Sequence, residues 1–160
     1  MHTDPLTAPL AAPGETHVRP LVAGDYDQWL PLWQGYLTFY EAPLSEAITR
    51  TTFARFLDGN EPLFAGVAVR EEALVGMVTC VVHRSTWSLT HYAYLEDLFV
   101  APQCRGAGVG AALIRWVRAQ ARQRECSKLY WHTHQTNQQA QILYKQLAQQ
   151  SGFIEYQMAL

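Results

Sequence analysis

The chain has 160 residues, the length of one domain, and its 49% hydrophobic and 12% aromatic content supports a sizeable buried core, which excludes a wholly disordered protein. A net charge of −2 lacks the basic footprint of a dedicated nucleic-acid binder. No run approaches the roughly 18 apolar residues of a membrane span, and the start has no basic-then-apolar leader, so a soluble cytoplasmic protein is expected. The charge is polarised: residues 1–101 hold 12 acidic and 5 basic side chains, and residues 102–160 hold 2 and 7. One half can meet a cation and the other an anion.

Residues 1–17, with Pro5, Pro9, Pro13 and Gly14 and no periodic apolar face, read as a flexible lead-in, and one domain is expected over 18–160. A short strand is expected at 18–22. Trp29, Leu32, Trp33, Tyr36, Leu37 and Tyr40 then recur at helical spacing, with Asp25 placed to cap the helix and Pro31 placed to bend it. A second helix fits 45–57 and stops at Asp58-Gly59-Asn60. Strands at 63–69 and 73–82, separated by Arg70-Glu71-Glu72, form an antiparallel hairpin. After a loop over 83–90, residues 92–100 make an apolar run broken only by Glu96 and Asp97, which suits a central strand.

Gln103-Cys104-Arg105-Gly106-Ala107-Gly108-Val109-Gly110 follows and opens a helix whose apolar stripe is Val109, Leu113, Val117 and Ala121. A strand is expected at 128–133. Asn137 can cap a helix carrying Ala140, Leu143, Tyr144, Leu147 and Ala148, which Gly152 ends before a last strand at 153–158. Cys80, Cys104 and Cys126 form no CxxC pair and read as reduced thiols. His132 and His134 lack a third ligand at matching spacing, so no metal is expected.

A strand, a glycine-rich turn and a helix N-terminus gather backbone N–H groups into a cradle for phosphate. Gly110-Ala111-Ala112 stands where a P-loop needs Gly-Lys-Ser/Thr, and the glycine spacing is wrong for a dinucleotide fingerprint. The pattern Gln103-x-x-Gly106-x-Gly108 instead resembles the acetyl-coenzyme A loop of the GNAT N-acetyltransferases. Tyr94-Leu95-Glu96-Asp97-Leu98-Phe99-Val100 before it, and Asn137-x-x-Ala140-x-x-x-Tyr144-Lys145 after it, resemble the other hallmarks of that superfamily. The likeness is greatest to its spermidine/spermine and fungal histone and polyamine branch.

This resemblance implies an α/β, three-layer fold with a mixed, twisted sheet of six or seven strands, two of which splay apart, and a homodimer joined through the terminal strand. It implies acetyl-coenzyme A as co-substrate, with pantetheine along the backbone of Leu98, Phe99 and Val100. Its pyrophosphate would rest on amides from Gln103 through Cys104, Arg105, Gly106, Ala107, Gly108 and Val109 to Gly110, with the Arg105 side chain and Asn137 nearby.

An alkylamine with a pKa of about 10.4 is neutral in about one molecule in 2,500 at pH 7, so a base is needed. Glu96, on a strand built for burial, is the candidate, acting through water or by attracting the cation. Strand alternation puts Asp97 on the opposite face, as a substrate contact or hydrogen-bond acceptor. The resemblance makes Tyr144 the acid that protonates the departing thiolate; the helix stripe alone would make it a packed aromatic. Tyr36, Tyr40, Glu41 and Trp87, with Trp33 and Tyr92, offer rings and a carboxylate to a cationic acceptor. Expected activity is direct acetyl transfer to a polyamine, diamine or amino acid; protein lysine acetylation and a non-catalytic acetyl-coenzyme A sensor are the alternatives.

Overall fold

A computed structural model describes residues 14–160. Five strands form one sheet in the order β1-β2-β3-β4-β5, where β1 is His17–Pro20, β2 Leu63–Arg70, β3 Ala73–Arg84, β4 His91–Val100 and β5 Cys126–Tyr130. The first four pair antiparallel and β5 joins β4 in parallel. Four helices, α1 (Tyr26–Phe39), α2 (Glu46–Leu57), α3 (Val109–Gln123) and α4 (Gln138–Leu147), cover the faces.

The two faces carry separate cores. Phe64, Val78, Cys80 and Leu95 of the sheet pack with Val109, Leu113, Ile114 and Val117 of α3. Ala65, Val67 and Met77 pack on the other side with Trp29, Leu32 and Trp33 of α1 and Phe53 of α2. These side chains alternate along β2 and β3, as a strand buried on both faces requires. The α/β, three-layer expectation holds, with five strands instead of six or seven.

The missing strand is the C-terminal one. Residues 153–158 form no strand, and Phe153, Ile154, Tyr156 and Met158 are each at least 76% exposed. An extended segment becomes a strand only through a ladder of backbone bonds to a partner edge, and among the described residues this segment joins none, although its Glu155 lies 3.6 Å from His132 beyond β5. Helix α4 likewise ends at Leu147, with Ala148 already extended, ahead of Gly152. β1 and β5 each begin earlier than expected. Residues 1–13 of the expected lead-in lie outside the described residues, whereas Thr16 is held by Arg70 at 2.8 Å.

Two local expectations change chemically. Asp25 occupies the N-cap position of α1, but its carboxylate makes no cap bond. Instead it takes both Arg19 guanidinium nitrogens at 2.7 and 2.8 Å and the Val22 amide at 2.9 Å. The guanidinium holds this carboxyl below its ordinary value. Pro31 sits inside α1, and the helix runs on through it.

The β2–β3 connection is a two-residue turn in which Glu71 and Glu72 both adopt positive φ, 48° and 65°. Side chains with a Cβ are strained there, and Asn-Gly is the natural occupant of such a hairpin. Replacing Glu71-Glu72 with Asn-Gly should raise unfolding free energy by about 1–2 kcal/mol in urea titration. An unchanged midpoint would show that this turn stores no strain.

Candidate active site

The site forms where β4 loses a neighbour. Parallel pairing with β5 runs only from His91↔Cys126 to Tyr94↔Tyr130. On its other side β4 stays paired with β3 through Val100↔Gly76. From Leu95 to Val100, the edge toward β5 is therefore open, which is the splay that the family resemblance implies. Alongside lies a cleft of about 660 Å³, lined by Leu98, Phe99 and Val100 of β4, Gly106, Gly108, Val109 and Gly110 of the loop and α3, and Asn137, Ala140, Leu143 and Tyr144 at α4.

The loop after β4 begins as a 3₁₀ turn, Pro102–Cys104. The Cys104 amide donates to the Ala101 carbonyl at 2.8 Å and the Arg105 amide to the Pro102 carbonyl at 3.4 Å. These two amides, counted in the cradle on sequence grounds, are committed to the turn. Gly106 and Gly108 then take positive φ, 78° and 80°, and Gly108 is the N-cap of α3. The first helical bond runs from Ala112 to the Gly108 carbonyl at 3.0 Å, so the amides of Val109, Gly110 and Ala111 face out of the helix end unspent by it. This 15-residue helix presents its positive dipole end to the cleft. Gln103 and Ala107 do not line the cleft, whereas Cys104 does.

Arg105 is already engaged. Its Nε donates to the Val100 carbonyl at 3.1 Å, and its guanidinium lies 5.4 Å from the Phe99 ring centre. The Ala101 amide donates to Val75 on β3, so the Val100 carbonyl, at the other side of the same trans peptide, points to the open edge. Arg105 thus brackets one end of that edge.

Glu96 and Asp97 lie in a β-bulge. Cys80 pairs with Leu95 and Val78 with Leu98, so Thr79 alone stands opposite the two acidic residues. Leu95 and Leu98, three positions apart, both pack in the α3-side core. Both carboxylates consequently face α1, which corrects the expectation that alternation sends Asp97 to the opposite face. Asp97 is 8% exposed and Glu96 is open to solvent. Thr79 Oγ1 donates to Asp97 Oδ2 at 2.5 Å, and the Tyr36 phenol donates to the same carboxylate from α1. Desolvation raises the pKa of Glu96, and Asp97 adds to the rise. Desolvation also raises that of Asp97, against the lowering pull of the Thr79 and Tyr36 hydroxyls.

Tyrosines bridge the carboxylates and the cleft. The Tyr36 and Tyr40 rings pack at a tilt of 52° with centres 4.9 Å apart, and Tyr40 lines the cleft and hydrogen-bonds with Asn137. Asn137 also accepts from the Ala140 amide at 3.4 Å, which is the expected α4 cap. Tyr144 packs edge-on against Trp131 at 5.5 Å, and burial pushes its phenol up to about 12, with Tyr40 contributing. It is protonated at neutral pH.

Not every candidate joins this group. Trp87 is 78% exposed in the β3–β4 connection and Glu41 lies exposed in the turn after α1, and neither lines the cleft. Trp33 is core, its indole N–H donating to Thr49 at 3.0 Å. Tyr92 belongs to an aromatic tract with His83, Tyr130 and Lys128. Sequence reasoning missed Thr79, although it is the lone hydroxyl in the apolar run of β3. Among the described residues, no group of three or more metal-ligating side chains forms, and no helix is long and apolar enough to cross a membrane.

The chain is 30% identical over 141 residues to the D-amino-acid N-acetyltransferase HPA3 of Saccharomyces cerevisiae, covering 87% of this chain and 88% of that protein. It is 39% identical over 66 residues to thialysine N-epsilon-acetyltransferase of Bos taurus, covering 41% of this chain and 38% of the other. The structure of AAC(6')-Iy in complex with a bisubstrate analog, CoA-S-monomethyl-acetylneamine, superposes with a TM-score of 0.81 at 16% identity, over 91% of this chain and 99% of that one. With residues 29–148 matching the family model for the acetyltransferase (GNAT) family, the chain belongs to that family and is an acyltransferase.

Proposed function

We propose that this protein transfers acetyl from acetyl-coenzyme A directly to the primary amine of a small acceptor, an amino acid, diamine or polyamine. The observation that carries this reading is the bulge opposite Thr79, which aims Glu96 and Asp97 together at the α1 side where the β4 edge opens. No lysine or arginine is among the groups that shift either carboxylate, so the pair is suited to receive a cation from outside. Relatives named for D-amino acids and thialysine support an amino-acid or amine acceptor.

The thioester supplies an activated acetyl group. Leu98, Phe99 and Val100 offer their free edge to an extended chain in the manner of an added strand. Gly106 to Ala111 offer amides to the diphosphate, with Arg105 adding charge at the rim and Asn137 fixing the start of α4. Tyr36, Tyr40 and Asp97 hold the ammonium. Glu96 takes its proton through water, and its raised pKa suits this task. A main-chain N–H at Leu98 steadies the developing oxyanion. Tyr144 then gives its proton to the leaving sulfur. Cys104 takes no covalent part.

Free-thiol release should appear when the protein and acetyl-coenzyme A meet amino acids, thialysine or polyamines. Lysine peptides as sole acceptors, or no release at all, would overturn the acceptor assignment. Glu96→Gln should lower kcat by about 10²-fold or more with thioester affinity kept, and Tyr144→Phe should also slow turnover. Full activity in either variant removes that residue from the scheme. Because its pKa is higher in the folded state than in the unfolded chain, Glu96 is most costly to stability above the folded value, and the cost fades as pH falls through it. Glu96→Gln should therefore melt above the wild type at neutral pH and match it more closely in acid.

We also propose a homodimer. The apolar tail carrying Phe153, Ile154, Tyr156, Met158 and Leu160 is exposed, and among the described residues β5 pairs only with β4. A second copy whose tail lies along this edge would cover both. Light scattering at micromolar concentration should give twice the chain mass; a monomer contradicts the pairing.

A further inference from the structure

A bulge leaves a gap in the ladder, and here one hydroxyl fills it. Thr79 Oγ1 accepts from the Asp97 amide at 3.1 Å while donating to the Asp97 carboxylate at 2.5 Å, closing a ring around a single residue. Thr79 is 2% exposed and Asp97 is 8% exposed, so water is a poor substitute for either bond. The flanking β3 residues, Val78 and Cys80, point to the α3-side core and offer no replacement. Tyr36 secures the same carboxylate from α1, but it does not reach the backbone bond that defines the bulge.

We infer that Thr79 is a positioning residue, whose hydroxyl clamps the β4 bulge and thereby keeps Glu96 aimed at the amine. The inference rests on the proposed role of Glu96, which Thr79 serves without touching the reacting atoms. Its physical basis is register. A regular ladder would return Glu96 and Asp97 to opposite faces, because strand side chains alternate. The bulge keeps them together only while the extra residue has a partner of its own. Valine has nearly the shape of threonine and a high strand propensity, but it removes donor and acceptor at once. Serine keeps both.

The test compares full-length Thr79→Val and Thr79→Ser with wild type by NMR amide exchange and steady-state kinetics. Valine should speed Asp97 amide exchange by about tenfold or more and cut kcat by about 10–100-fold, with KM for acetyl-coenzyme A within about twofold. Serine should stay close to wild type in both. Equal loss in serine and valine would mean that shape, not the hydroxyl, matters, and would overturn the inference. So would wild-type exchange in valine, or fast exchange with kcat intact. If valine does not fold, Thr79→Ala replaces it with the same expectations. If wild type acetylates no amine, the reading of Glu96 fails, while the exchange measurement still decides whether Thr79 holds the bulge.

Discussion

One constraint organises this molecule: β4 keeps β3 as a partner along its length but loses β5 after Tyr94. A strand buried in a sheet cannot leave its amides and carbonyls unmet without cost. Leaving six residues of one edge open is therefore a structural commitment that demands a partner from elsewhere. The cleft, the glycine turn, the free end of α3 and the cap of α4 all surround that edge. The proposed co-substrate has the form required, an extended polar arm joined to a diphosphate.

The second commitment is electrostatic. Two adjacent carboxylates share one face, one of them buried, and the groups that hydrogen-bond the buried one are the Thr79 and Tyr36 hydroxyls rather than cations. Desolvation raises both pKa values, so the folded state binds protons more tightly than the unfolded chain and loses stability as pH rises through that window. Such a site gives up stability to hold two acids together, a common compromise at working centres and one that suits the proposed cationic acceptor. Tyr36 softens the cost by donating to Asp97, while Tyr40 and Tyr144 stay neutral phenols lining the cleft.

Much of the fold was legible because its signals are local. Val109, Leu113 and Val117 repeat at helical spacing, and all three are buried in the α3-side core. Gly106 and Gly108 were readable as a turn into a helix because positive φ favours glycine, and both adopt it. The faces of Glu96 and Asp97 were not legible, since a bulge depends on what Thr79 across the ladder does. Alternation, applied to β4 alone, gives the wrong side for Asp97. The extra strand at 153–158 failed for a related reason: its apolar pattern is real, but pairing is a property of two edges, and the segment is not laid along the free edge of β5. Asp25 looked like a cap from its position, yet Arg19, six residues away, takes the carboxylate with stronger bidentate bonds.

The most direct test of the account is a crystal structure with a non-hydrolysable acetyl-coenzyme A analogue. The account predicts pantetheine hydrogen-bonded to the backbone along Leu98, Phe99 and Val100, with the diphosphate on amides between Gly106 and Ala111. An analogue bound elsewhere, with the β4 edge still open or closed by protein, would contradict it.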